Sequence, residues 1–226
     1  MKRAPDGSGE RRSPLQLVVM ARWPAPGRCK RRLAAGCGRV RAAAVQARLT
    51  AHCLAAAAEA RRWARAAQPP QTLVVVLAVD GLGARAARRW GRRLGADRVR
   101  LQGSGSLGLR MRRQLVRAHR SGARAVVLIG SDLPGLGAAD LLAAFTALER
   151  GALVLGPARD GGYWLIGVGE TTPLAGLFSG AGTAIGWGGP QVLARSLEAA
   201  AAAGLQAQLL GLQADLDRPA DLEAWR

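Results

Sequence analysis

The sequence has few of the residues on which several common kinds of site depend. Its 226 residues include two histidines, three cysteines and one tyrosine. Cys29, Cys37 and Cys53 have no CxxC spacing, and an odd number of cysteines does not make a disulfide framework. A reduced, cytoplasmic setting is therefore expected. His52 and His119 fall inside predicted helices, which disfavours a Ser-His-Asp mechanism and a histidine-ligated zinc site.

Long hydrophobic runs are also scarce. The apolar run at residues 15–21 is far shorter than the roughly 20 residues of a membrane span. No apolar core with a small-residue cleavage site precedes it, so neither a secretion signal nor a membrane partner is expected. Residues 1–14 are polar and rich in glycine, proline and charge, and we expect a disordered leader there. Residues 15–226 are expected to form a single domain.

Lysine is nearly absent although the chain is strongly basic. The formal net charge is +18, and of 33 basic residues only Lys2 and Lys30 are lysines. This excess of arginine, with abundant alanine, is typical of codon drift in a GC-rich genome. The charge also fits a nucleic-acid-binding module, which would need a contiguous basic face. Because the arginines are dispersed along several predicted helices and aromatic residues are few, we expect solvated helix faces and no specific nucleic-acid partner.

The drift makes one residue stand out. Lys30 is the only lysine of the expected domain, in a background where arginine is otherwise used. A lysine offers a compact point charge, whereas the guanidinium of arginine is a broad planar fork. We expect Lys30 to lie where only an ammonium group can do the work.

Short apolar runs alternate with longer alanine-rich stretches, which predicts a three-layer α/β fold with a mostly parallel sheet flanked by helices. Strands are predicted at residues 15–21, 72–79, 98–101, 125–129, 152–155, 163–168 and 205–212. Helices are predicted at residues 39–67, 84–94, 107–121, 138–150 and 190–203, and from residue 219 onward. The turn before residue 163 suggests that the fifth and sixth strands run antiparallel. The glycine-rich stretch 169–189 is expected to be a mobile loop.

The loop that follows the first strand is the first candidate site. It contains two prolines, Gly27 and a run of basic residues that includes Arg28 and Lys30. Glycine lets the backbone approach a ligand, and converging cations suit a di- or triphosphate. The GxxxxGK[ST] pattern of a Walker loop is absent. The alternative is an ordinary proline-rich connection with solvated arginines.

Aspartates after the later strands are candidate metal ligands. Asp132 directly follows the most hydrophobic strand, where a carboxylate can hold a divalent cation that bridges phosphate oxygens. The alternative is a helix cap, although Asp140 lies closer to the next helix. Near the carboxyl terminus, one of Asp215 and Asp217 is expected to join Asp132 at the metal while the other caps the last helix. We take Asp132 and Asp217 as the metal ligands.

Two further loops are rich in glycine. Asp160, Gly161 and Gly162 form a typical hairpin turn, and Tyr163 beside them is the only tyrosine of the chain. The two glycines could admit a sugar or a base, or the motif could be a turn and no more. The loop at residues 102–108 leads into a helix whose amino terminus suits an anion, and Arg110 lies in its first turns.

Five motifs taken in order resemble a bacterial transferase family. They are PAPGRCKRRL, QGSGSLGLRM, GSDLPGL, GPARDGGYWLIG and DLDRPADL. The family consists of GT-A-like transferases described as arsenosugar-biosynthesis glycosyltransferases, or as transferases associated with radical-SAM and selenodomain proteins. More distantly, the chain is similar to the guanylyltransferases of the molybdenum-cofactor and deazaflavin-cofactor pathways.

The resemblance implies a nucleotide-diphospho-sugar transferase-like fold and a metal-dependent reaction with Mg²⁺ or Mn²⁺. It implies that Gly27, Arg28 and Lys30 contact the phosphates of a nucleotide-sugar or NTP donor, with Asp132 at the metal. Residues 160–163 would line the pocket for a sugar or a small-molecule acceptor, with Asp160 as the candidate catalytic residue. The expected function is glycosyl transfer, and the alternatives are nucleotidyl transfer and nucleotide binding without catalysis.

The chain departs from the family pattern at several positions. The family usually has Lys-Thr-Arg at residues 30–32, where this chain has Lys-Arg-Arg. It often has an acidic residue where Ser106 and Leu109 stand, and it tends to have Trp-Ser-Thr at residues 187–189, where this chain has Trp-Gly-Gly. Extra positive charge from Arg31 and Arg32 would suit the γ-phosphate of an NTP, which is the feature that favours nucleotidyl transfer.

Overall fold

The computed structural model describes residues 13–179 and 185–225. Nearly all of the expected leader therefore lies outside the described residues, as does part of the expected mobile loop. Within the described part, seven strands form one sheet in the order β3-β2-β1-β4-β6-β5-β7. The strands are β1 (Leu15–Arg22), β2 (Leu73–Asp80), β3 (Arg98–Leu101), β4 (Ala125–Ile129), β5 (Leu153–Pro157), β6 (Tyr163–Gly169) and β7 (Ala207–Leu209).

The helices cover both faces of this sheet. They are α1 (Arg31–Cys37), α2 (Arg39–Ala66), α3 (Ala84–Arg93), α4 (Leu107–Arg120), α5 (Ala138–Leu148), α6 (Leu174–Ser179), α7 (Val192–Ala202) and a final 3-10 helix (Pro219–Trp225). Successive side chains of a strand point to opposite faces, so each apolar strand serves two cores. One core packs the sheet against α2, α3 and α5, and the other packs it against α4, α6 and α7. The predicted three-layer α/β fold is confirmed.

The direction of the strands decides where loops meet. β1 pairs in parallel with β2 and β4, and β2 pairs in parallel with β3. β6 runs antiparallel to β4 and β5, which confirms the prediction for the fifth and sixth strands, and β5 pairs in parallel with β7. The carboxyl ends of the parallel strands, together with the amino end of β6, therefore lie at one edge of the sheet.

The structure differs from the sequence prediction in four elements. α1 was not predicted, because its arginine-rich sequence with an internal glycine lacks a clear apolar period. The last helix is a 3-10 helix, and β7 is shorter than the predicted strand. The stretch expected to be a mobile loop contains α6, whose Leu177 and Phe178 are buried against the sheet, while residues 180–184 of that stretch lie outside the described residues. Within the described residues, none of the helices has the length and apolar character that crossing a membrane requires.

Candidate functional site

The candidate site lies where the sheet changes its winding direction. From β1 the chain moves outward through β2 to β3, and β4 then pairs with the opposite side of β1. In open α/β sheets a crevice forms outside the carboxyl ends of the strands at such a point. A cavity of about 280 Å³ occupies it. Its lining comes from the ends of β1, β2 and β4, from the loop and helix after β3, and from the start of β6.

One carboxylate holds two guanidinium groups at this cavity. Asp80, the last residue of β2, accepts a hydrogen bond from Arg22 Nε at 3.0 Å and one from Arg110 Nη1 at 3.3 Å. Arg110 Nη1 also donates to Gln102 Oε1 at 3.1 Å. The Gln102 amide is oriented in turn, because its Nε2 donates to the backbone carbonyls of Ala21 and Ala78. One negative charge against two positive charges leaves this wall of the cavity cationic, which suits an anion.

Lys30 has a buried side chain with protein partners. Its side chain is 1% exposed, and its Nζ lies 3.0 Å from Asp132 Oδ1 and donates a hydrogen bond to the carbonyl oxygen of Leu216. Lys30 has φ +47°, the left-handed conformation that non-glycine residues rarely adopt, and it forms the amino-terminal cap of α1. The ammonium therefore links the loop after β1 to the loop after β4 and to the carboxyl-terminal segment.

The carboxyl-terminal segment brings a second aspartate toward Asp132. The Leu216 N–H donates to the Asp132 carbonyl at 2.9 Å, which holds the two segments side by side. Burial raises the pKa of Asp215 to about 7, the charges of Asp160, Asp132 and Asp217 add to the effect, and Lys30 opposes it. The buried Asp215 Oδ1 accepts no hydrogen bond from the described residues, and the buried Asp132 Oδ1 has the Lys30 ammonium as its ion-pair partner. Two carboxylate oxygen atoms suit a hard cation such as Mg²⁺.

The other predicted metal ligand is engaged differently. Asp217 Oδ2 lies 3.1 Å from Arg32 Nη1 in a partly exposed ion pair. The expectation that Asp215 or Asp217 caps the last helix is wrong, because Asp221 accepts hydrogen bonds from the backbone N–H groups of Asp217 and Arg218. In the ranges that the structure describes, no group of three or more histidine, cysteine and acidic side chains is arranged to hold a metal ion.

The predicted turn before β6 has a structural reason for its glycines. Gly161 has φ +85°, and a Cβ there would lie 1.9 Å from the carbonyl oxygen of Pro190. Its own carbonyl accepts a hydrogen bond from Leu193 N, so the turn is fixed to the start of α7. Asp160 Oδ1 accepts a hydrogen bond from the Gly162 N–H at 2.9 Å. The exposed Asp160 carboxylate thus has a defined orientation, and its charge is one of those that raise the pKa of Asp215.

Aromatic rings close one side of the cavity. Tyr163 lines it, and burial raises the pKa of Tyr163, with the Ser196 hydroxyl acting in the opposite direction. The Trp187 ring lies edge-on to Tyr163 and stacked on Phe178, with centroid distances of 6.4 and 5.8 Å. A Cβ on Gly108 would lie 2.4 Å from the Trp187 ring. The glycine in the first turn of α4 therefore allows Trp187 to pack there.

The cavity brings together only part of the predicted set. Arg110, Asp132 and Tyr163 line it, and Lys30 contacts it through Asp132. The structure does not bring Gly27 or Arg28 into its lining: Gly27 has φ +78° in a turn beside Arg39, and the Arg28 side chain is exposed.

The sequence analysis missed several residues that line the cavity. They are Arg22, Gln46, Asp80, Gln102 and Ser131. Gln46 is buried on α2 and donates to Ser131 Oγ at 3.0 Å, a contact that joins residues 85 positions apart. Asp80 could have been found, because it directly follows the second predicted strand and such strand ends carry sites in this fold class. Gln46 gave no comparable signal.

Comparison with known sequences identifies a family. Residues 63–189, more than half of the chain, match the family of uncharacterized proteins conserved in bacteria known as DUF2064. The chain belongs to the DUF2064 family. No curated protein matches this DUF2064 chain.

Solved structures show which proteins share the fold of this DUF2064 chain. A candidate nucleotide-diphospho-sugar transferase from Desulfovibrio desulfuricans G20 has 25% identity and a TM-score of 0.70, and the match covers 91% of this chain and 83% of that one. A 4-diphosphocytidyl-2C-methyl-D-erythritol synthase from Anaerococcus prevotii DSM 20548 has 9% identity and a TM-score of 0.60, with 94% and 96% covered. CMP:2-keto-3-deoxy-manno-octonic acid synthetase in complex with CTP has 13% identity and a TM-score of 0.57, with 94% and 96% covered. The fold is that of nucleotide-diphospho-sugar transferases and cytidylyltransferases.

Proposed function

We propose that this DUF2064 protein is a metal-dependent transferase that uses a nucleotide-activated donor, with glycosyl transfer to a small-molecule acceptor as its reaction. One observation carries the proposal. A single cavity at the switch point of the sheet has the guanidinium groups of Arg22 and Arg110 on one wall and the carboxylate of Asp132 on another. This pairing suits a diphosphate on the cationic side and a cation beside the carboxylate.

The donor would be held by residues from three loops. Arg110 would contact its phosphates from the cavity wall. The sequence resemblance implies Gly27, Arg28 and Lys30 as further phosphate contacts, and because these residues lie outside the cavity lining, they would contact a phosphate only where the donor extends toward the loop after β1. Asp132 would hold Mg²⁺ or Mn²⁺, with Asp217 or Asp215 as the second carboxylate. When bound, such a cation neutralises negative charge on the departing diphosphate. Since these groups are fixed before reaction, their stabilisation of the leaving group needs little reorganisation.

The acceptor would lie at the turn before β6. The Pro190 carbonyl covers Gly161, and neither Gly161 nor Gly162 lines the cavity, so Tyr163 is the residue beside this turn that supplies a wall of the cavity. In glycosyl transfer the bond from the sugar carbon to the diphosphate breaks and a bond to the acceptor oxygen forms. The acceptor hydroxyl proton would pass to the exposed carboxylate of Asp160, which the Gly162 N–H orients. An acceptor of the arsenosugar pathway is what the sequence resemblance implies.

Nucleotidyl transfer is the second candidate. Two of the structural neighbours named above are synthetases that make cytidylyl products by name, and their fold matches over nearly the whole chain. Arg31 and Arg32 would then add positive charge for the γ-phosphate of an NTP. The same cavity serves both reactions, so the released product is the measurement that separates them.

The test is a two-stage assay on the full chain. Thermal unfolding is recorded with nucleoside diphosphates, nucleotide sugars and NTPs, each with Mg²⁺ or Mn²⁺, since a ligand of the native state raises the midpoint by mass action. Donors that bind are then incubated with candidate acceptors. Release of a nucleoside diphosphate supports glycosyl transfer, and release of pyrophosphate supports nucleotidyl transfer. Binding without turnover would identify a non-catalytic relative, and no stabilisation by any nucleotide would contradict the proposal.

The metal assignment has its own pair of variants. Asp215→Asn and Asp217→Asn each remove one carboxylate, so we expect the true second ligand to be the one whose loss abolishes metal-dependent nucleotide binding. Asp132→Asn should abolish it too, but it also leaves the buried Lys30 ammonium without its ion-pair partner. The thermal midpoint of Asp132→Asn must therefore be compared with that of the wild type, to separate a loss of stability from a loss of metal binding. Unchanged metal dependence in all three variants would remove these aspartates from the site.

A further inference from the structure

Basic residues dominate the first part of the fold, and acidic residues outnumber basic ones in the last part. Residues 13–80 have ten arginines, Lys30 and two acidic residues. Residues 81–131, which contain α3, β3, α4 and β4, have thirteen arginines and one acidic residue, Asp97. Residues 133–225 have four arginines and nine acidic residues. Codon drift raises the arginine content of the whole chain, so it does not explain why residues 13–131 and residues 133–225 differ in charge. The alanine-rich helices α5 and α7 show this, because they carry one arginine between them.

Three of the arginine-rich elements, α3, β3 and α4, are neighbours in the fold, since Arg117 of α4 donates a hydrogen bond to the Leu101 carbonyl of β3. β3 is the edge strand of the sheet, α3 packs over one of its faces, and α4 packs on the opposite face of the sheet. We call this side, formed by α3, β3 and α4, the basic margin. Arg92 and Arg93 are exposed on α3, Arg98 on β3 and Arg117 on α4. These three elements carry twelve arginines, and the remaining arginines are spread over the rest of the chain.

The positive charge of the basic margin is not balanced from within. Burial and the nearby charges of Arg98 and Arg117 lower the pKa of Arg100, and the buried Arg100 Nη1 has no hydrogen-bond partner among the described residues. Asp97 does not compensate, because its carboxylate pairs with Arg61 and accepts a hydrogen bond from the Val75 N–H at 2.8 Å. An external anion would relieve this repulsion.

The chemistry of the margin favours phosphodiesters over a protein surface. Protein interfaces have an apolar centre that is depleted of charged residues. The large apolar side chains exposed on these elements are Leu101, Leu107 and Leu109, at the ends nearest the cavity, and the remainder of the margin is dominated by arginine. Guanidinium groups donate paired hydrogen bonds to phosphate oxygens, and a nucleic-acid backbone presents phosphates at high linear density.

We propose that the basic margin binds the phosphate backbone of a nucleic acid without reading its bases. The site is separate from the cavity and goes beyond the transferase function, so neither depends on the other. Trp90 is the one aromatic residue on the three elements, and it is part-buried and packed edge-on against Trp23. Base stacking therefore contributes little, and binding is tolerant of sequence.

The test measures the affinity of the full chain for fluorescently labelled single-stranded RNA and duplex DNA of about 20 nucleotides per strand at increasing NaCl concentrations. The logarithm of the binding constant should fall linearly with the logarithm of salt concentration. R98Q/R117Q should weaken duplex binding about tenfold or more at low salt and reduce the slope by about 1.8, since each lost phosphate contact accounts for about 0.9. R92Q/R93Q, on the other face, should have a similar effect and guards against a folding defect in the first variant.

The control variant is R41Q/R150Q, which removes the same charge from exposed arginines on α2 and after α5. It should leave the slope unchanged. An equal loss in the control would mean that net charge alone attracts the nucleic acid, which overturns the proposal. Absence of salt-dependent binding would also overturn it, as would displacement by polyglutamate at equal charge concentration, which would indicate an acidic protein partner. Nucleotide binding at the cavity, measured on the same variants, should not change.

Discussion

At the scale of single residues, Lys30 connects three segments that are far apart in the sequence. Its ammonium contacts Asp132 and the Leu216 carbonyl from a side chain that is 1% exposed. The space that holds a compact ammonium does not accept the wider guanidinium group without displacement. This explains why a lysine stands here in an arginine-rich chain, whether or not the ammonium also contacts a phosphate.

Lys30→Arg should therefore lower the thermal midpoint and weaken binding of a nucleoside diphosphate, although the charge is preserved. A lost charge-assisted hydrogen bond costs roughly 1.5–3 kcal/mol, or about ten- to a hundredfold in affinity. Arg28→Lys is the matched control on the same loop, because the Arg28 side chain is exposed, and its effect should be small. Calorimetric titration and thermal unfolding measure the two effects. Equal, small losses for both variants would reduce the loop to diffuse surface charge.

The carboxyl of Asp215 predicts a pH dependence. Its pKa is raised from 3.8 to about 7 in the folded protein, so folding favours the protonated form. The stability that this group contributes is complete below about pH 4 and is lost as the pH rises through about 7. In metal-free protein at pH 8, Asp215→Asn should raise the thermal midpoint and increase the free energy of unfolding by up to about 2–4 kcal/mol. At pH 4 the substitution should change both quantities little. A gain of equal size at both pH values would show that Asp215 does not titrate in this interval.

At the scale of elements, Trp187 packs on the start of α4, and this contact reverses the usual effect of a glycine-to-alanine substitution on stability. Replacing a helical glycine by alanine ordinarily stabilises a helix by up to about 1 kcal/mol. Gly108→Ala should instead destabilise the protein, because the new Cβ meets the Trp187 ring at 2.4 Å. Gly176→Ala in α6 is the control, since its nearest atom is 3.5 Å away. Urea unfolding and tryptophan fluorescence report both effects, and a stabilised Gly108→Ala would disprove the contact.

The elements that sequence patterns predicted are those whose signal is local. β4 is an unbroken apolar run buried on both faces, and α2 ends where Gln68 and two prolines stop it, so both were predicted closely. α1 was missed because its start depends on the left-handed backbone of Lys30, which no residue pattern announces. α6 was missed because a glycine-rich composition hid a short apolar face that is buried only by packing.

The residues of the candidate site also fall into those with a local sequence signal and those that depend on distant contacts. Asp132 and Arg110 were predicted from their places after a strand and at a helix start, and both line the cavity. The pairing of Arg22 with Asp80 spans 58 residues, and that of Lys30 with the Leu216 carbonyl spans 186. Contacts at such separations depend on strand order, which the sequence pattern did not specify. The last helix begins at Pro219, as predicted, but its cap comes from Asp221, whose carboxylate accepts hydrogen bonds from the backbone N–H groups of Asp217 and Arg218.

At the scale of the whole molecule, the uneven charge predicts how salt acts on stability. A chain with a net charge of +18 and twelve arginines on the three elements of the basic margin repels itself in the folded state. Salt screens exposed charges over about 10 Å at 0.1 M. Raising NaCl from low concentration to about 0.3 M should therefore raise the thermal midpoint, whereas a protein held together by surface ion pairs would lose stability.

A single substitution locates this repulsion. The exposed side chain of Arg98 takes part in no hydrogen bond or ion pair seen in the described part of the chain, and its charge lowers the pKa of Arg100. At low salt, Arg98→Gln should raise the thermal midpoint and increase the free energy of unfolding by roughly 0.2–1 kcal/mol. Both gains should vanish at high salt. Arg41→Gln, which removes an exposed arginine of α2 outside the basic margin, should change the midpoint less. Arg98 and Arg41 differ in that only Arg98 lies in a cluster of arginines. An equal rise of the thermal midpoint in both variants would therefore mean that the repulsion comes from the net charge of the chain and not from the basic margin.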